Sequence, residues 1–137
     1  MSLIAIPLLL IPFALYNMLA FLLNLTFSET LFGVTLISGA RLSVSTGDIL
    51  VVIGALLLYV EIVKATRLGS KAIVDHVLSL ILLIGMALEF LTVQRAATGT
   101  FLILTVLSFV DVVGGFSITI RTAQRDVAFE RVDDASA

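Results

Sequence analysis

The stretch Tyr59–His76, YVEIVKATRLGSKAIVDH, holds Glu61, Lys64, Arg67, Lys71 and Asp75 within fifteen positions and ends on the only histidine of the chain. Apolar runs flank it on both sides, each close to the roughly 20 residues that a helix needs to cross the hydrocarbon of a bilayer. Two such runs joined by one short charged insert predict antiparallel helices, with the turn at Gly69-Ser70. Composition sharpens this. Of the 137 residues 60% are hydrophobic and only 13% charged, with a mean hydropathy of +1.20, whereas a soluble domain averages about a quarter charged. A bilayer is therefore the expected solvent, and a single all-α membrane domain the expected fold.

Several function classes drop out at once. The eight Lys and Arg are spread over loops and the formal net charge is −2, which argues against a nucleic-acid partner. Without cysteine there are no disulfides, thiolate metal sites or cysteine nucleophiles. One histidine with no convergent second ligand makes a poor metal site. There is no HExxH, no Ser-His-Asp arrangement and no phosphate-cradling glycine loop, since Gly114-Gly115 falls mid-helix. The chain is expected to be no enzyme and to hold no cofactor.

In chain order, four transmembrane helices are expected at about residues 3–27, 48–67, 72–93 and 100–121, forming an up-down bundle. The first run, MSLIAIPLLL onward, lacks a basic residue and exceeds the roughly 7–15 apolar residues of a signal peptide, so it is read as a retained helix. Between helices 1 and 2, Phe32, Val34 and Leu36 alternate, Ser38-Gly39 offers a turn, and Leu42 and Val44 alternate with serines. That pattern predicts a short β-hairpin at the membrane surface, with an edge able to pair with a neighbour. Thr46 or Asp48 is the expected cap of helix 2. Residues 1–126 make the membrane domain, and 127–137 a tail that extends helix 4 by a turn or two and then frays. Lys64, Arg67 and Lys71 fall on the same side as Arg121, Arg125 and Arg131, against Arg41 and Arg95 opposite. The excess of basic residues puts both termini and the 64–71 turn in the cytoplasm and the hairpin outside.

Ionisable side chains inside apolar spans are costly and are the first candidates for function. Asp111 stands on the stripe Ser108, Asp111, Gly115, Thr119 of helix 4, small or polar throughout, so this face is expected to look inward. Asn17 of helix 1 is expected at similar depth, which makes Asp111, Asn17 and Ser108 an intramembrane polar or ion-binding candidate. At the cytoplasmic side, Glu61 and Lys64 share a helix face, as do Lys71 and Asp75. With helices 2 and 3 antiparallel, Glu61, Lys64, Asp75 and His76 are expected to form one polar cluster. Glu89, on the stripe Asp75, Ser79, Leu82, Met86, Glu89, is placed to answer Arg95.

The segments EIVKATRLGS, IVDH, LEFL, TFLILT and DVVGGFSITIRTAQRD, spread over about residues 47–126, resemble a group of small four-helix inner-membrane proteins of bacteria. The resemblance implies that fold and a bacterial inner membrane, and brings no activity. The leading expectation is a non-enzymatic accessory or scaffold subunit, a homo-oligomer or part of a larger inner-membrane complex, in contact with the lipid bilayer. The alternative is a proton- or ion-coupled small transporter or channel using Asp111. A weaker alternative is a haem- or quinone-binding electron-transfer subunit through His76.

Overall fold

The computed structural model describes residues 6–66 and 70–136, with side chains throughout except at 70 and 71. The start of the first helix at 1–5, the turn at Gly69, Arg67 and the Lys71–Asp75 pair therefore lie outside the described residues. Helix α1, Leu10–Asn17, runs on through a wider π turn, Met18–Leu22. Strands β1, Thr30–Thr35, and β2, Arg41–Ser45, form the hairpin. Helices α2, Thr46–Ala65, and α3, Ser70–Thr92, follow. A 3-10 turn, Gln94–Ala96, leads into α4, Gly99–Ser136.

Helices α2, α3 and α4 are long and apolar enough to cross a membrane. Helix α1 is shorter than its apolar run predicts. Leu10–Leu22 is about 20 Å long at 1.5 Å per residue, against a hydrocarbon core of about 30 Å. Both ends have local causes. Pro7 lacks an N–H and sits ahead of the first turn, where Leu10 N donates to its carbonyl at 3.0 Å. At the other end Asn24 takes a left-handed φ of 50°, a conformation that terminates helices, and Leu25 N reaches back to Leu19 O at 3.1 Å. The apolar residues beyond turn back onto the bundle: Phe27 stacks on Tyr16, ring centroids 4.1 Å apart and 6° from parallel.

The expected hairpin forms, its strands antiparallel with Phe32 opposite Val44 and Val34 opposite Leu42. Its loop is Ile37-Ser38-Gly39: Gly39 N donates to Leu36 O at 2.9 Å, and Gly39 adopts a φ of 83° that costs glycine nothing. Strand β2 runs straight into α2. The cap is Ser45, one residue before the expected Thr46, in a capping box with Asp48 at N3.

Helix α4 packs against both α2 and α3, and α1 lies across α2 and α4. A Cβ at Gly54 would stand 2.9 Å from Leu104, so the missing side chain is what lets α2 and α4 approach. Phe101 is fully buried and ringed by Phe13, Tyr16 and Phe90. With Leu50, Leu82, Met86 and Leu104 it forms an apolar middle layer. Outward faces carry Leu56, Ile81, Leu88, Ile103, Val106 and Phe109, an apolar perimeter far larger than the few hundred Å2 of a soluble monomer's patches. Helix α4 also continues unbroken to Ser136, past the expected end near Arg121. Along that extension the Arg125 guanidinium lies 5.8 Å from the Phe129 ring, one turn on.

Candidate functional site

Where α2 ends and α3 begins, the bundle buries charge. Glu61 and Lys64, three residues apart on α2, meet at 3.0 Å, and the same Lys64 Nζ reaches Asp75 of α3 at 3.2 Å. Helical spacing explains the first contact and the antiparallel pairing of α2 with α3 the second. Two backbone groups that sequence reasoning did not anticipate complete the arrangement. Leu8 N, at the open start of α1, donates to Glu61 Oε1, and Lys64 Nζ donates to Ile6 O at 3.4 Å. Glu61 thus acts as a cap supplied from another helix, its negative charge placed where the α1 dipole is positive.

Asp111 of α4 faces this group. Its carboxyl lies beside Ser79 of α3 and within electrostatic range of Glu61, Asp75 and Lys64. Glu61 and Asp111 are 4% and 5% exposed. The predicted stripe on α4 does turn inward, as Ser108, Asp111 and Gly115 are all buried. Three atoms here have no hydrogen-bond partner among the described residues: Asp111 Oδ2, Asp75 Oδ1 and Ser108 Oγ. The last is informative by contrast with its neighbours on the same helix. Thr105, Ser117 and Thr122 each donate to the carbonyl four residues back, at 2.8, 2.7 and 2.8 Å, whereas Ser108 makes no such bond.

His76 stands apart from the cluster predicted for it. Its Nε2 is 2.6 Å from Thr119 Oγ1, its ring lies against Phe116 with centroids 5.0 Å apart, and Thr119 Oγ1 also donates to Ala65 O at 3.3 Å. A Cβ on Gly115 would fall 2.8 Å from the His76 ring. Glycine on α4 is therefore what admits the imidazole, and the nitrogen a haem iron would need is engaged with Thr119.

Asn17 is likewise elsewhere. Because α1 is short and starts level with Glu61, Asn17 falls near the hairpin end, where its Nδ2 donates to Glu89 Oε2 at 3.3 Å and to Phe13 O at 3.1 Å. In place of the expected Asp111–Asn17 pairing, Asn17 bonds Glu89 and Asp111 lies near Ser79. Arg95 does not answer Glu89. One guanidinium nitrogen, Nη1, donates to Ala20 O at 2.8 Å and to Asn24 Oδ1 at 2.6 Å, and the group lies 5.5 Å from the centre of the Phe21 ring. Ala20 belongs to the π turn, whose wider winding leaves carbonyls for such partners. Tyr16 completes this second polar layer, its hydroxyl donating to Arg95 O at 2.8 Å and lying 2.7 Å from Thr98 Oγ1.

The described residues therefore hold two polar layers separated by the Phe101 layer. The first joins Glu61, Lys64, Asp75, Ser79 and Asp111; the second joins Tyr16, Asn17, Asn24, Glu89, Arg95 and Thr98. Among the described residues no cluster of three or more His, Cys, Asp or Glu has metal-binding geometry. Ser79 was legible on the α3 stripe, but nothing in its identity marked it as the neighbour of Asp111. Comparison of the chain with protein-family models, with curated proteins and with solved structures returns no match.

Proposed function

We propose that this chain is a non-enzymatic multi-pass protein of a bacterial inner membrane that takes up and releases protons at the Glu61–Asp75–Asp111 cluster, as a small proton-coupled transporter or channel. Both termini and the α2–α3 connection face the cytoplasm in this reading, which rests on the distribution of Lys and Arg. The observation that carries the functional part is charge: among the described residues the buried carboxyls of Glu61 and Asp111 and the largely buried one of Asp75 share one ammonium, Lys64. Fully ionised, they would leave two uncompensated negative charges in a low-dielectric interior, and each buried ion without a partner costs several kcal/mol. Protons, or a cation in their place, accompany the cluster in this reading. Asp111 is the member with no ion pair. Lys64 and Asp75 retain side-chain exposures of 12% and 13%, so exchange with water occurs from the cytoplasmic end, while the Phe101 layer closes the other side.

Infrared titration of the protein in nanodiscs tests this. The wild type is expected to show a protonated-carboxyl C=O band that fades as pH rises, and Asp111→Asn to lose a large part of it while keeping its helix content. Proteoliposomes under an imposed pH gradient should lose proton flux with the same substitution. An identical carboxyl titration in wild type and variant would end the reading.

A second reading, an assembly subunit, is favoured by the hairpin. Phe32, Val34, Leu36 and Leu42 are exposed on it, and both its strands have an open edge. Native mass spectrometry in mild detergent distinguishes it by whole-copy or partner masses; a bare monomer counts against it.

A further inference from the structure

At the hairpin end, the π turn after α1, the hairpin base and the start of α4 line an open cleft of about 700 Å3, within the roughly 300–1,000 Å3 that ligand sites occupy. We propose that this cleft binds an anionic phosphate ester through Arg95. The inference does not depend on the proton-binding reading, since the two sites share no residue.

Charge carries the argument. Arg95 is the one ionic side chain in the cleft wall, and no carboxylate lines it. Both ion pairs among the described residues belong to Lys64, so no described acid lies within ion-pair distance of the guanidinium. Two acids flank the hairpin base: Glu29, exposed beside Ser28, is not part of the wall and forms no ion pair among the described residues, and Asp48 accepts from Ser45 N and Ser45 Oγ, both at 2.8 Å.

Geometry supplies the rest. Arg95 is held in place by Ala20 O, Asn24 Oδ1 and the face of Phe21, and both hydrogen bonds use Nη1. The Nε and Nη2 donors remain for a ligand, and a guanidinium offering two parallel N–H groups matches phosphate oxygens in a way an ammonium cannot. Holding the group in advance lowers the ordering cost of binding. Around it the wall offers neutral groups, Asn24, Ser28, Gln94, Thr98 and Thr100, while Leu25 and Phe27 give apolar surface for the organic part of an ester. A carboxylate-poor wall rich in hydroxyls and amides suits an anion and disfavours a cation.

The phosphate could be the headgroup of an anionic phospholipid or a water-soluble ester, and one experiment separates them. Native mass spectrometry would follow retention of phosphatidylglycerol against phosphatidylcholine, with glycerol phosphate as soluble competitor. Preferential retention of phosphatidylglycerol that glycerol phosphate does not displace identifies the headgroup; displacement identifies the soluble ester. Either is the expected result, provided that Arg95→Gln weakens it by about tenfold, the equivalent of about 1.4 kcal/mol. Because Arg95 also holds the end of α1, Ser28→Glu serves as the second variant. It adds a carboxylate to the wall at an exposed position and should weaken binding equally with the Arg95 contacts intact. Retention unchanged by Ser28→Glu, or absence of binding by either probe to the wild type, overturns the proposal.

Discussion

The two polar layers of this bundle are built from different materials. In the layer near Lys64, ionic groups contact ionic groups, and three oxygen atoms have no hydrogen-bond partner among the described residues. In the layer near Tyr16, side-chain hydroxyls and amides meet backbone carbonyls, and even the arginine is tied to a carbonyl and an amide. There, among the described residues, only Glu89 Oε1 is without a partner. A network tied this closely to backbone carbonyls favours one geometry, because the carbonyls are fixed by the helices. An ionic group with surplus acceptors tolerates several proton distributions over nearly fixed atoms. Under the proposed proton-exchange reading, the Tyr16 layer positions and the Lys64 layer exchanges.

Substitutions can break that contrast, and the largest effect is expected at Lys64. Lys64→Met strips from Glu61 and Asp75 the one cation paired with them among the described residues, and should lower stability by about 3–5 kcal/mol, as removal of one partner of a buried pair does. Thermal unfolding in nanodiscs measures it, and Asp75→Asn in the same chain should recover part of the loss. A stability change below that of an exposed pair would mean that water reaches the cluster freely. Next comes Gly115→Val, whose side chain would collide with the His76 ring; a cost of about 1–3 kcal/mol is expected from overpacking. Its carboxyl titration should match the wild type, since His76 lies outside the ionic group. The smallest effect is at Tyr16→Phe, which removes the hydroxyl bonds to Arg95 O and Thr98 for about 1 kcal/mol. Any change in carboxyl titration in this last variant would show that the two layers communicate through the Phe101 layer.

Local patterns were readable in the chain and long-range placements were not. Apolar runs located α2, α3 and the membrane part of α4. Alternation around Ser38-Gly39 located the hairpin, and helical spacing placed Glu61 with Lys64. What failed was depth. The position of Asn17 depends on where α1 starts and stops, and the chain signals both only through Pro7 and a left-handed Asn24 inside an otherwise uniform apolar run. Once α1 shortens, Asn17 moves up to Glu89 and Asp111 is left facing Ser79. Arg95 was matched to Glu89 on charge, yet two acceptors on α1, one of them a π-turn carbonyl, hold it instead; backbone acceptors carry no signature in a side-chain sequence. Likewise His76 follows Asp75 directly, but neighbours on a helix point about 100° apart, which sends the imidazole to α4.

Helix α4 passes through the ionic layer at Asp111 and continues without a break to Ser136. From one to the other is 25 residues, about 37 Å of rigid rod. Pivoted near Asp111, a tilt of about 10° too small to see in the packed bundle would sweep the far end through about 6 Å. The length of the C-terminal extension thus sets a lever arm: if rearrangement of the buried carboxyls tilts α4, a spin label or fluorophore near Ser136 would register it as a displacement outside the bundle.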